Sequence, residues 1–349
     1  MIGCGSHAFR NIYPALQFLP IELKAVCDLK AEKAEAYAQQ FGAGAAYADM
    51  DAMLASEPLE AVLVVTNYDK DGRPRFPDIT CRCLEAGQHV WIEKPPAATC
   101  SDIERMQRAS QQAGRHVVVG FNKIFSPANV KARELINAAE FGDVSLAMLQ
   151  YPQGVPEAGA IRDYLNGAKG SGGLVGFLDH LCHPMSLLVD LLGMPETLFY
   201  QRGNSVAAAA TLTFAGGAVA TLALTARGPG TPAYERTQLL STSTGQMVTV
   251  ENNLRVTLHR SPGLQYGSTP SYYAGDPDRP SLVWEPEMSM GQLYNKGLFL
   301  LGTWGELNEF TQCILCGRPP EHGTLEQARQ VTRLFEAFAE GPGKLITLT

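Results

Sequence analysis

Short apolar runs alternate with amphipathic stretches through the first 120 residues of the chain. The runs at residues 23–27, 61–66 and 116–120 are typical of parallel strands that are buried on both faces. Between the first two runs, a stretch with alanines along one side stops at Gly42, as an amphipathic helix does. This alternation predicts an α/β domain over residues 1–121, with a doubly wound parallel sheet of roughly six strands.

The pattern changes after residue 121. One helical stretch at 127–139 is followed mainly by strand-like runs, and helical patterns return at 297–316 and 325–339. Strands that follow one another with few helices between them are typical of a largely antiparallel sheet. We therefore predict a second α/β domain over residues 122–349. Its strand-like runs are 144–150, 197–201, 206–214, 218–226, 238–240, 247–250 and 255–259, and a long loop rich in proline, glycine and tyrosine follows at 261–286.

The length of 349 residues agrees with about two domains. The chain has 28 lysine and arginine residues against 35 aspartate and glutamate residues, which gives a net charge of -7. It contains no basic run that could neutralise a phosphate backbone. We therefore expect neither nucleic acid nor a membrane surface as a partner.

One uncharged apolar tract, residues 205–226, is about long enough to cross a bilayer. Its threonines and the two glycines in its middle indicate two strands joined by a hairpin instead. The eight cysteines lack the paired spacing of a zinc site, and Cys313 and Cys316 lie inside a helical pattern. We expect reduced thiols in a cytoplasmic protein. We also expect no signal peptide, because no basic segment precedes an apolar one at the start.

The start of the chain has the spacing of a dinucleotide-binding turn. Gly3, Gly5 and Ala8 satisfy the pattern G-x-G-x-x-G/A, which brings backbone amides up to a pyrophosphate. Asp28 ends the next strand, where a carboxylate reaches a ribose hydroxyl. Only two residues precede the first glycine, although a strand normally supplies about five there. The sequence leaves open whether further residues precede them.

A charged pair stands where the apolar run that begins at His89 ends. Glu93 and Lys94 are followed at once by two prolines, which stop the strand. The carboxyl edge of an open α/β sheet is where ligands bind, although a solvated strand end is the alternative interpretation of so short a motif. A polar loop follows Thr66 and Asn67 at the same edge, which favours a cofactor cleft there.

A glycine-rich segment at residues 170–176 leads into a helical pattern. Asp179 and His183 lie four residues apart and so share one helix face. Pro184 is tolerated only near a helix start, which predicts that this helix begins close to Asp179. An N-cap role for Asp179 and an ordinary helix-face imidazole at His183 are the alternatives to a role in chemistry.

A metal site is a further interpretation of the same segment. Asp179, His180, Cys182 and His183 are all residue types that bind metals. At about 100° per residue, however, His180 and Cys182 lie on opposite flanks of a helix and cannot close on one ion. We therefore predict no metal ligands.

The motifs that carry a family resemblance are Gly3-Cys4-Gly5-Ser6-His7-Ala8, Asp28, Thr66-Asn67, Glu93-Lys94-Pro95, Gly120-Phe121-Asn122 and the pair Asp179 and His183 after Gly172-Gly173. In order and spacing they resemble the glucose-fructose oxidoreductase/inositol dehydrogenase (Gfo/Idh/MocA) family of NAD(P)-dependent sugar and polyol oxidoreductases. The resemblance spans nearly the whole chain. The chain departs from the family at Thr66-Asn67, where Thr-Pro-Asn is usual, and in the longer, more charged loop that follows.

The resemblance implies a Rossmann domain that binds NAD, with NADP as the alternative. It also implies an α/β domain with an open, mostly antiparallel sheet through which a homodimer or homotetramer forms. The implied catalytic group is Lys94, Asp179 and His183. The expected cofactor contacts are Gly3, Gly5, Ser6, His7, Ala8, Asp28, Thr66, Asn67, Glu93 and Lys94. The expected substrate contacts are Asn122, Lys123, Tyr151, Arg162, Tyr164 and His180.

A dehydrogenase or ketoreductase of a sugar, polyol or glycoside is the function that these features predict. His183 is the candidate base for a hydroxyl proton, Lys94 the cation that stabilises an alkoxide, and Asp179 the orienting group. Two other functions stay open. One is redox-neutral elimination or glycoside cleavage with tightly bound NAD, and the other is a non-catalytic NAD-binding sensor or corepressor. We expect NAD in preference to NADP because Asp28 repels a 2′-phosphate, although Lys30 softens this repulsion.

Overall fold

The computed structural model describes residues 1–226, 234–261, 281–285 and 296–348. The chain forms two compact units. The first consists of Met1–Phe125, Glu157–Asp190 and Gly302–Ala339, and the second of Ser126–Pro156, Leu191–Leu301 and Glu340–Thr349. Two segments from beyond residue 121 thus belong to the first unit, and the assignment of 1–121 and 122–349 to separate domains stays a prediction. Most of the loop predicted at 261–286 lies outside the described residues.

A parallel sheet lies at the centre of the first unit. Its strands are β1 (Ala25–Cys27), β2 (Ala45–Tyr47), β3 (Ala61–Val64), β4 (His89–Glu93) and β5 (Val117–Gly120). β1 pairs with β2, and β4 pairs with both β3 and β5, all in parallel register. Ile2 bridges Cys27 and Val64 and so joins the two halves. The order β2, β1, Ile2, β3, β4, β5 is that of a doubly wound dinucleotide-binding sheet, which confirms the predicted fold.

The two residues before the first glycine occupy the central position of this sheet. Ile2 donates its N–H to the Leu63 carbonyl at 2.8 Å and accepts from the Val65 N–H at 2.9 Å. On the other side, Cys27 donates its N–H to the Met1 carbonyl at 2.8 Å. Both residues are buried. Although this strand is short, it is therefore paired on both sides where the glycine turn begins.

Helices surround the parallel sheet, and many begin or end where the sequence predicted. A π-helical turn, Ala8–Ile12, precedes α1. In the first unit, α2 packs against β1, α4 against β3 and β4, and α11 against β4 and β5. The helices of the chain are α1 (Tyr13–Leu16), α2 (Ala31–Phe41), α3 (Met50–Ser56), α4 (Phe76–Glu85), α5 (Cys100–Ala113), α6 (Asn122–Phe125), α7 (Pro127–Ile136), α8 (Ala158–Leu165), α9 (Gly172–Leu192), α10 (Lys296–Leu300), α11 (Thr303–Cys316) and α12 (Leu325–Ala337).

A nine-stranded sheet dominates the second unit. Its strands are β6 (Leu146–Tyr151), β7 (Thr197–Arg202), β8 (Ala208–Thr213), β9 (Val219–Leu224), β10 (Arg236–Ser241), β11 (Gln246–Glu251), β12 (Arg255–His259), β13 (Leu282–Trp284) and β14 (Leu345–Thr347). Their order is β13-β12-β11-β10-β6-β9-β8-β7-β14, and every pair except β6 with β9 is antiparallel. The mostly antiparallel sheet is therefore confirmed. The apolar tract at 205–226 forms the hairpin of β8 and β9, as predicted.

Helix α9 begins earlier than the sequence predicted. It starts at Gly172 and contains Pro184 in its interior, so the inference from Pro184 to a start near Asp179 was wrong. Proline removes one helix hydrogen bond, and this loss is offset here by burial of Phe177, Leu178 and further apolar side chains on the helix. Asp179 therefore stands inside the helix, which rules out its N-cap alternative.

Among the described residues, α9 is the one helix that is long and apolar enough to cross a membrane. In its most apolar 18-residue window, 61% is buried inside the protein. The core helix of a globular unit has this same composition, because its side chains face other protein atoms instead of water.

We expect Gly3→Ala to destabilise the first unit strongly. Gly3 has a φ of 105°, and a β-carbon there would lie 1.8 Å from the carbonyl oxygen of Val65. We expect a loss of about 3 kcal/mol or more in the free energy of unfolding, measured by urea denaturation. Gly42→Ala is the matched control, because Gly42 has a φ of 76° with open space around it. It should cost only about 1 kcal/mol. Equal losses in the two variants would contradict the close approach of Gly3 to Val65.

Candidate active site

The glycine turn opens on a cavity of about 710 Å³ in the first unit. Five residues predicted to contact a cofactor line this cavity, namely Gly3, Gly5, Asp28, Thr66 and Asn67. A β-carbon added at Gly5 would meet no atom within 4 Å, so this part of the turn faces open space. The cavity lies at the carboxyl edge of the parallel sheet, where dinucleotides bind in this fold.

Asp28 holds the glycine turn in place from the end of β1. Its Oδ2 accepts from the Cys4 N–H at 2.9 Å, and its Oδ1 accepts from the Lys30 N–H at 3.0 Å. The carboxylate is partly exposed and lines the cavity. It therefore supports the turn and also presents negative charge to any ligand in the cavity.

The residues of the cavity fit NAD. The Thr66 hydroxyl lines it and is buried, and the structure gives it no hydrogen-bond partner among the described residues. A buried polar atom without a partner is costly, and a polar ligand removes that cost. The glycine turn, Asp28 and Thr66 are thus the residues that would hold the cofactor.

Sequence reasoning missed several charged residues of this cavity. Arg82 forms an ion pair with Asp51, and both line the cavity. The further charged residues of the lining that were not predicted are Lys33, Asp49, Arg75 and Asp78. The charge-rich loop after Asn67 was the available signal for Arg75 and Arg82, since it leads directly into α4.

Lys94, Asp179 and Tyr68 meet at the carboxyl end of β4. Lys94 Nζ donates to Asp179 Oδ1 at 2.9 Å, and the Tyr68 hydroxyl donates to the same oxygen at 2.9 Å. The Lys94 and Asp179 side chains are 15% and 25% exposed, so the pair is largely sheltered from water. The structure thus brings together two members of the predicted catalytic group and adds Tyr68, which was not predicted.

The charges of this cluster set its protonation. Burial by itself lowers the pKa of Lys94, but the carboxylates of Asp179 and Glu93 outweigh burial and raise that pKa above its usual value. Burial and the neighbouring Asp179 carboxylate both raise the pKa of Tyr68. At neutral pH, Lys94 is therefore a cation and Tyr68 a protonated hydrogen-bond donor.

His183 lies one helical turn after Asp179 on α9. Desolvation, with the positive charges of Lys94 and Lys123, holds the pKa of His183 well below its ordinary value of 6.5. The imidazole of His180 is a neighbour, with 6.1 Å between the two ring centroids. At neutral pH, His183 is therefore uncharged, which is the form that can accept a proton.

His7 and Glu93 connect the glycine turn to the end of β4. His7 Nε2 lies 2.7 Å from Glu93 Oε1, and the Lys94 N–H donates to Glu93 Oε2 at 3.1 Å. The hydrogen bond to Glu93 raises the pKa of His7. Ser6 is exposed beside His7, whereas Ala8 is buried. The predicted cofactor contacts of these residues stay predictions.

The loop after Tyr68 is anchored on the segment that leads into α9. The Tyr164 hydroxyl donates to the Gly72 carbonyl at 2.9 Å, and Arg73 donates to the Tyr164 carbonyl at 2.5 Å. The Gly170 N–H donates to the Asp71 carbonyl at 2.9 Å. The loop that follows Tyr68 is thus held firmly at the site.

The predicted substrate contacts lie in different places. Tyr164 is buried and holds the loop, and Arg162 donates to the Ala339 carbonyl at 2.7 Å. His180 Nε2 lies 3.8 Å from Asp179 Oδ2. Asn122 and Lys123 open α6 in the first unit, whereas Tyr151 ends β6 in the second. Substrate contact by any of these residues stays a prediction.

Glu306 is a further residue that the sequence did not point to. It lies on α11, is 1% exposed, and its Oε2 has no hydrogen-bond partner among the described residues. Burial, followed by the negative charge of Glu93, raises its pKa well above the usual range. Glu306 is therefore a buried carboxyl group whose charged form is disfavoured by burial and by Glu93.

The parallel sheet, the glycine turn and the cavity define a dinucleotide-binding domain. Residues 1–121 match the model of the oxidoreductase family with an NAD-binding Rossmann fold, GFO_IDH_MocA. Residues 129–261 match the GFO/IDH/MocA C-terminal domain. The chain belongs to this family, which confirms the resemblance inferred from the motifs and the expected NAD-binding domain.

Two curated relatives and one solved structure illustrate the similarity. The chain is 27% identical to an inositol 2-dehydrogenase of Salmonella typhimurium, over 35% of each protein. It is 28% identical to a D-glucoside 3-dehydrogenase of Escherichia coli, over 50% of this chain and 48% of that protein. The matches therefore span a third to a half of these relatives. A dehydrogenase from Chromobacterium violaceum has the same fold, with a TM-score of 0.78 and 24% identity over 98% of this chain and 94% of that one.

We expect Gly5→Ala to weaken NAD binding without destabilising the protein. The added methyl group points into open space on the cavity wall, so it displaces ligand and not protein. A loss of roughly tenfold in affinity, about 1.4 kcal/mol, should appear in a calorimetric titration with NAD. Gly216→Ala, in the turn between β8 and β9, also meets open space and should leave the affinity unchanged. Unchanged NAD affinity in Gly5→Ala would place the cofactor elsewhere.

Proposed function

We propose that this protein is an NAD-dependent oxidoreductase that transfers a hydride between nicotinamide and a secondary alcohol or ketone of a sugar, polyol or glycoside. The observation that carries the proposal is the sheltered pair of Lys94 and Asp179 at the carboxyl end of β4. Membership of the family supports it, as do relatives named as dehydrogenases of inositol and of a D-glucoside. The substrate is therefore a small carbohydrate or polyol.

In this proposal Lys94 binds the oxygen of the reacting carbon. Its cation stabilises the negative charge that develops there when the hydroxyl loses its proton. A site sheltered from water strengthens this effect, and Lys94 is only 15% exposed. The nicotinamide of the bound cofactor supplies the hydride acceptor.

His183 accepts the hydroxyl proton in the same proposal. It is neutral at neutral pH because desolvation and Lys94 hold its pKa well below 6.5. Asp179 shares a helix face with His183 and orients the substrate beside it. A neutral base and a cationic donor at one oxygen are the two groups that alcohol oxidation needs.

NAD is the preferred cofactor in this proposal. Asp28 lines the cavity with a carboxylate that accepts from a ribose hydroxyl and repels a 2′-phosphate. Lys30 and Lys33 line the same region and reduce that repulsion, so NADP binds more weakly but is not excluded.

A homodimer or homotetramer through the nine-stranded sheet is the proposed assembly. One face of this sheet is exposed along β7, β8 and β9. Phe199 and its cross-strand partner Leu345 are 37% and 70% exposed on their strands. Apolar side chains on an open face are typical of an interface, and light scattering on the purified protein would test this assembly.

All eight cysteines are free, which supports the cytoplasm as the proposed compartment of the protein. Cell fractionation would test that location.

The proposed function predicts reduction of added NAD by a member of a carbohydrate panel. The panel comprises myo-inositol, methyl D-glucosides and free aldoses, each offered with NAD or with NADP, and the reduced-nicotinamide absorbance is followed. We expect growth of that band with NAD, and a lower kcat/KM with NADP. Conversion of a glycoside with no change in the band would instead favour redox-neutral cleavage. NAD binding with no conversion of any compound would favour the sensor.

The pH dependence of oxidation tests His183 as the base. Because its pKa lies well below 6.5, kcat/KM should stay level on acidification past that value and fall only at lower pH. His183→Asn should remove this acid limb together with most of the rate. His89→Asn is the matched control, since His89 begins β4 at the opposite end and its pKa is also lowered, to about 4. Near-normal turnover in His183→Asn, with the acid limb intact, would refute this assignment.

A further inference from the structure

The two oxygens of the Asp179 carboxylate have different surroundings. Oδ1 accepts two hydrogen bonds of 2.9 Å, from Lys94 Nζ and from the Tyr68 hydroxyl. The ion-pair contact to Oδ2 is His180 Nε2 at 3.8 Å, which is too long for a hydrogen bond. Asp179 is also 25% exposed. Oδ1 thus accepts from two protein donors, whereas Oδ2 has a longer contact to His180 on a partly exposed carboxylate.

Two donors on one oxygen compete with each other. The Tyr68 hydroxyl takes part of the negative charge of Oδ1, so Lys94 is held less strongly than it would be by Asp179 alone. Because Tyr68 has its own hydrogen bond to Oδ1, Asp179 keeps one donor if Lys94 turns towards another oxygen. It cannot itself act as the base, since burial and Asp179 keep its hydroxyl protonated.

We propose that Tyr68 is a positioning residue, which acts through Asp179 to loosen Lys94 for the substrate oxygen and to present Oδ2 to a substrate hydroxyl. This role rests on the proposed function. It assigns a task to the polar loop that follows Asn67. It also gives the two carboxylate oxygens of Asp179 different roles: Oδ1 is held by protein donors, and Oδ2 accepts from substrate.

The loop is built to keep Tyr68 in this place. Asp69, the next residue, accepts from the N–H groups of Asp71 and Arg73 at 2.9 and 2.8 Å, which shapes the turn. Beyond that turn, the loop is anchored to Tyr164 and Gly170, just before α9 begins. The segment that carries Tyr68 and the helix that carries Asp179 are therefore held together by contacts away from the reacting atoms.

Tyr68 also lines the cofactor cavity, so an effect on NAD binding must be separated from an effect on Asp179. A double-mutant cycle separates them, because residues that act through one another give non-additive effects. The cycle uses the substrate-free protein, Tyr68→Phe, Asp179→Asn and the double variant. The readout is the pKa of Lys94, taken from the pH dependence of its reductive methylation by formaldehyde and read by mass spectrometry.

We expect Tyr68→Phe to raise the pKa of Lys94 by roughly one unit, because Asp179 then has a single donor. In the Asp179→Asn background, the same substitution should change the Lys94 pKa little. An equal shift in both backgrounds, or no shift in either, would overturn the proposal. This arm needs no turnover, so it decides the role of Tyr68 even if the wild type oxidises no compound of the panel and the proposed function fails.

The kinetic arm uses a panel compound that the wild type oxidises. Tyr68→Phe should lower kcat about tenfold, as expected for loss of one hydrogen bond to a charged acceptor, with little change in KM or NAD affinity. Tyr234→Phe is the matched control, since it removes a tyrosine hydroxyl that donates to Glu251 at 2.8 Å in the second unit. A Tyr68→Phe variant with weakened NAD binding and normal kcat would show that Tyr68 only lines the cavity.

Discussion

The site depends on the ion pair between Lys94 and Asp179, because the ammonium group of Lys94 is sheltered from water. A charge removed from water is costly unless an opposite charge compensates it. Asp179 supplies that charge from 85 residues further along the chain, so the pair fixes the end of β4 against α9. The other features of the site follow from this pair. The Lys94 cation adds to desolvation in lowering the pKa of His183, and the Asp179 carboxylate accepts a hydrogen bond from Tyr68.

Local signals in the sequence were sufficient for much of the fold. α2 ends at Gly42, which takes the left-handed conformation that glycine adopts readily, and the hairpin of β8 and β9 follows from threonine-rich alternation. β2 was not predicted, because its three residues are only partly buried and gain strand character from pairing with β1. The glycines at the start of α9 argue against a helix on propensity alone, and packing of the helix outweighed that preference.

In the site too, residues that stand beside a local motif could be predicted, whereas residues defined by contacts with distant parts of the sequence could not. Lys94 and Asp179 could be found because each stands beside a recognisable feature of the chain, a proline stop and a glycine-rich segment. Tyr68 could not be found in this way, since its partner is 111 residues away and a single tyrosine in a polar loop has no distinctive pattern. Glu306 occupies a helix position among apolar neighbours, where only the three-dimensional packing shows that its carboxyl group is enclosed.

The first unit is assembled from three separate stretches of sequence, and this has a consequence for how the protein is made. β5 is synthesised before the strands β6 to β13, whereas α11 and α12, which pack against it, are synthesised after them. The Gly323 carbonyl, which accepts from the Val119 N–H at 2.8 Å, also arrives late. The parallel sheet therefore begins before the antiparallel sheet, and the surface of β5 that α11 and α12 cover stays open while β6 to β13 are synthesised. Nascent chains of this protein thus expose part of the apolar surface of β5 until α11 and α12 have been released.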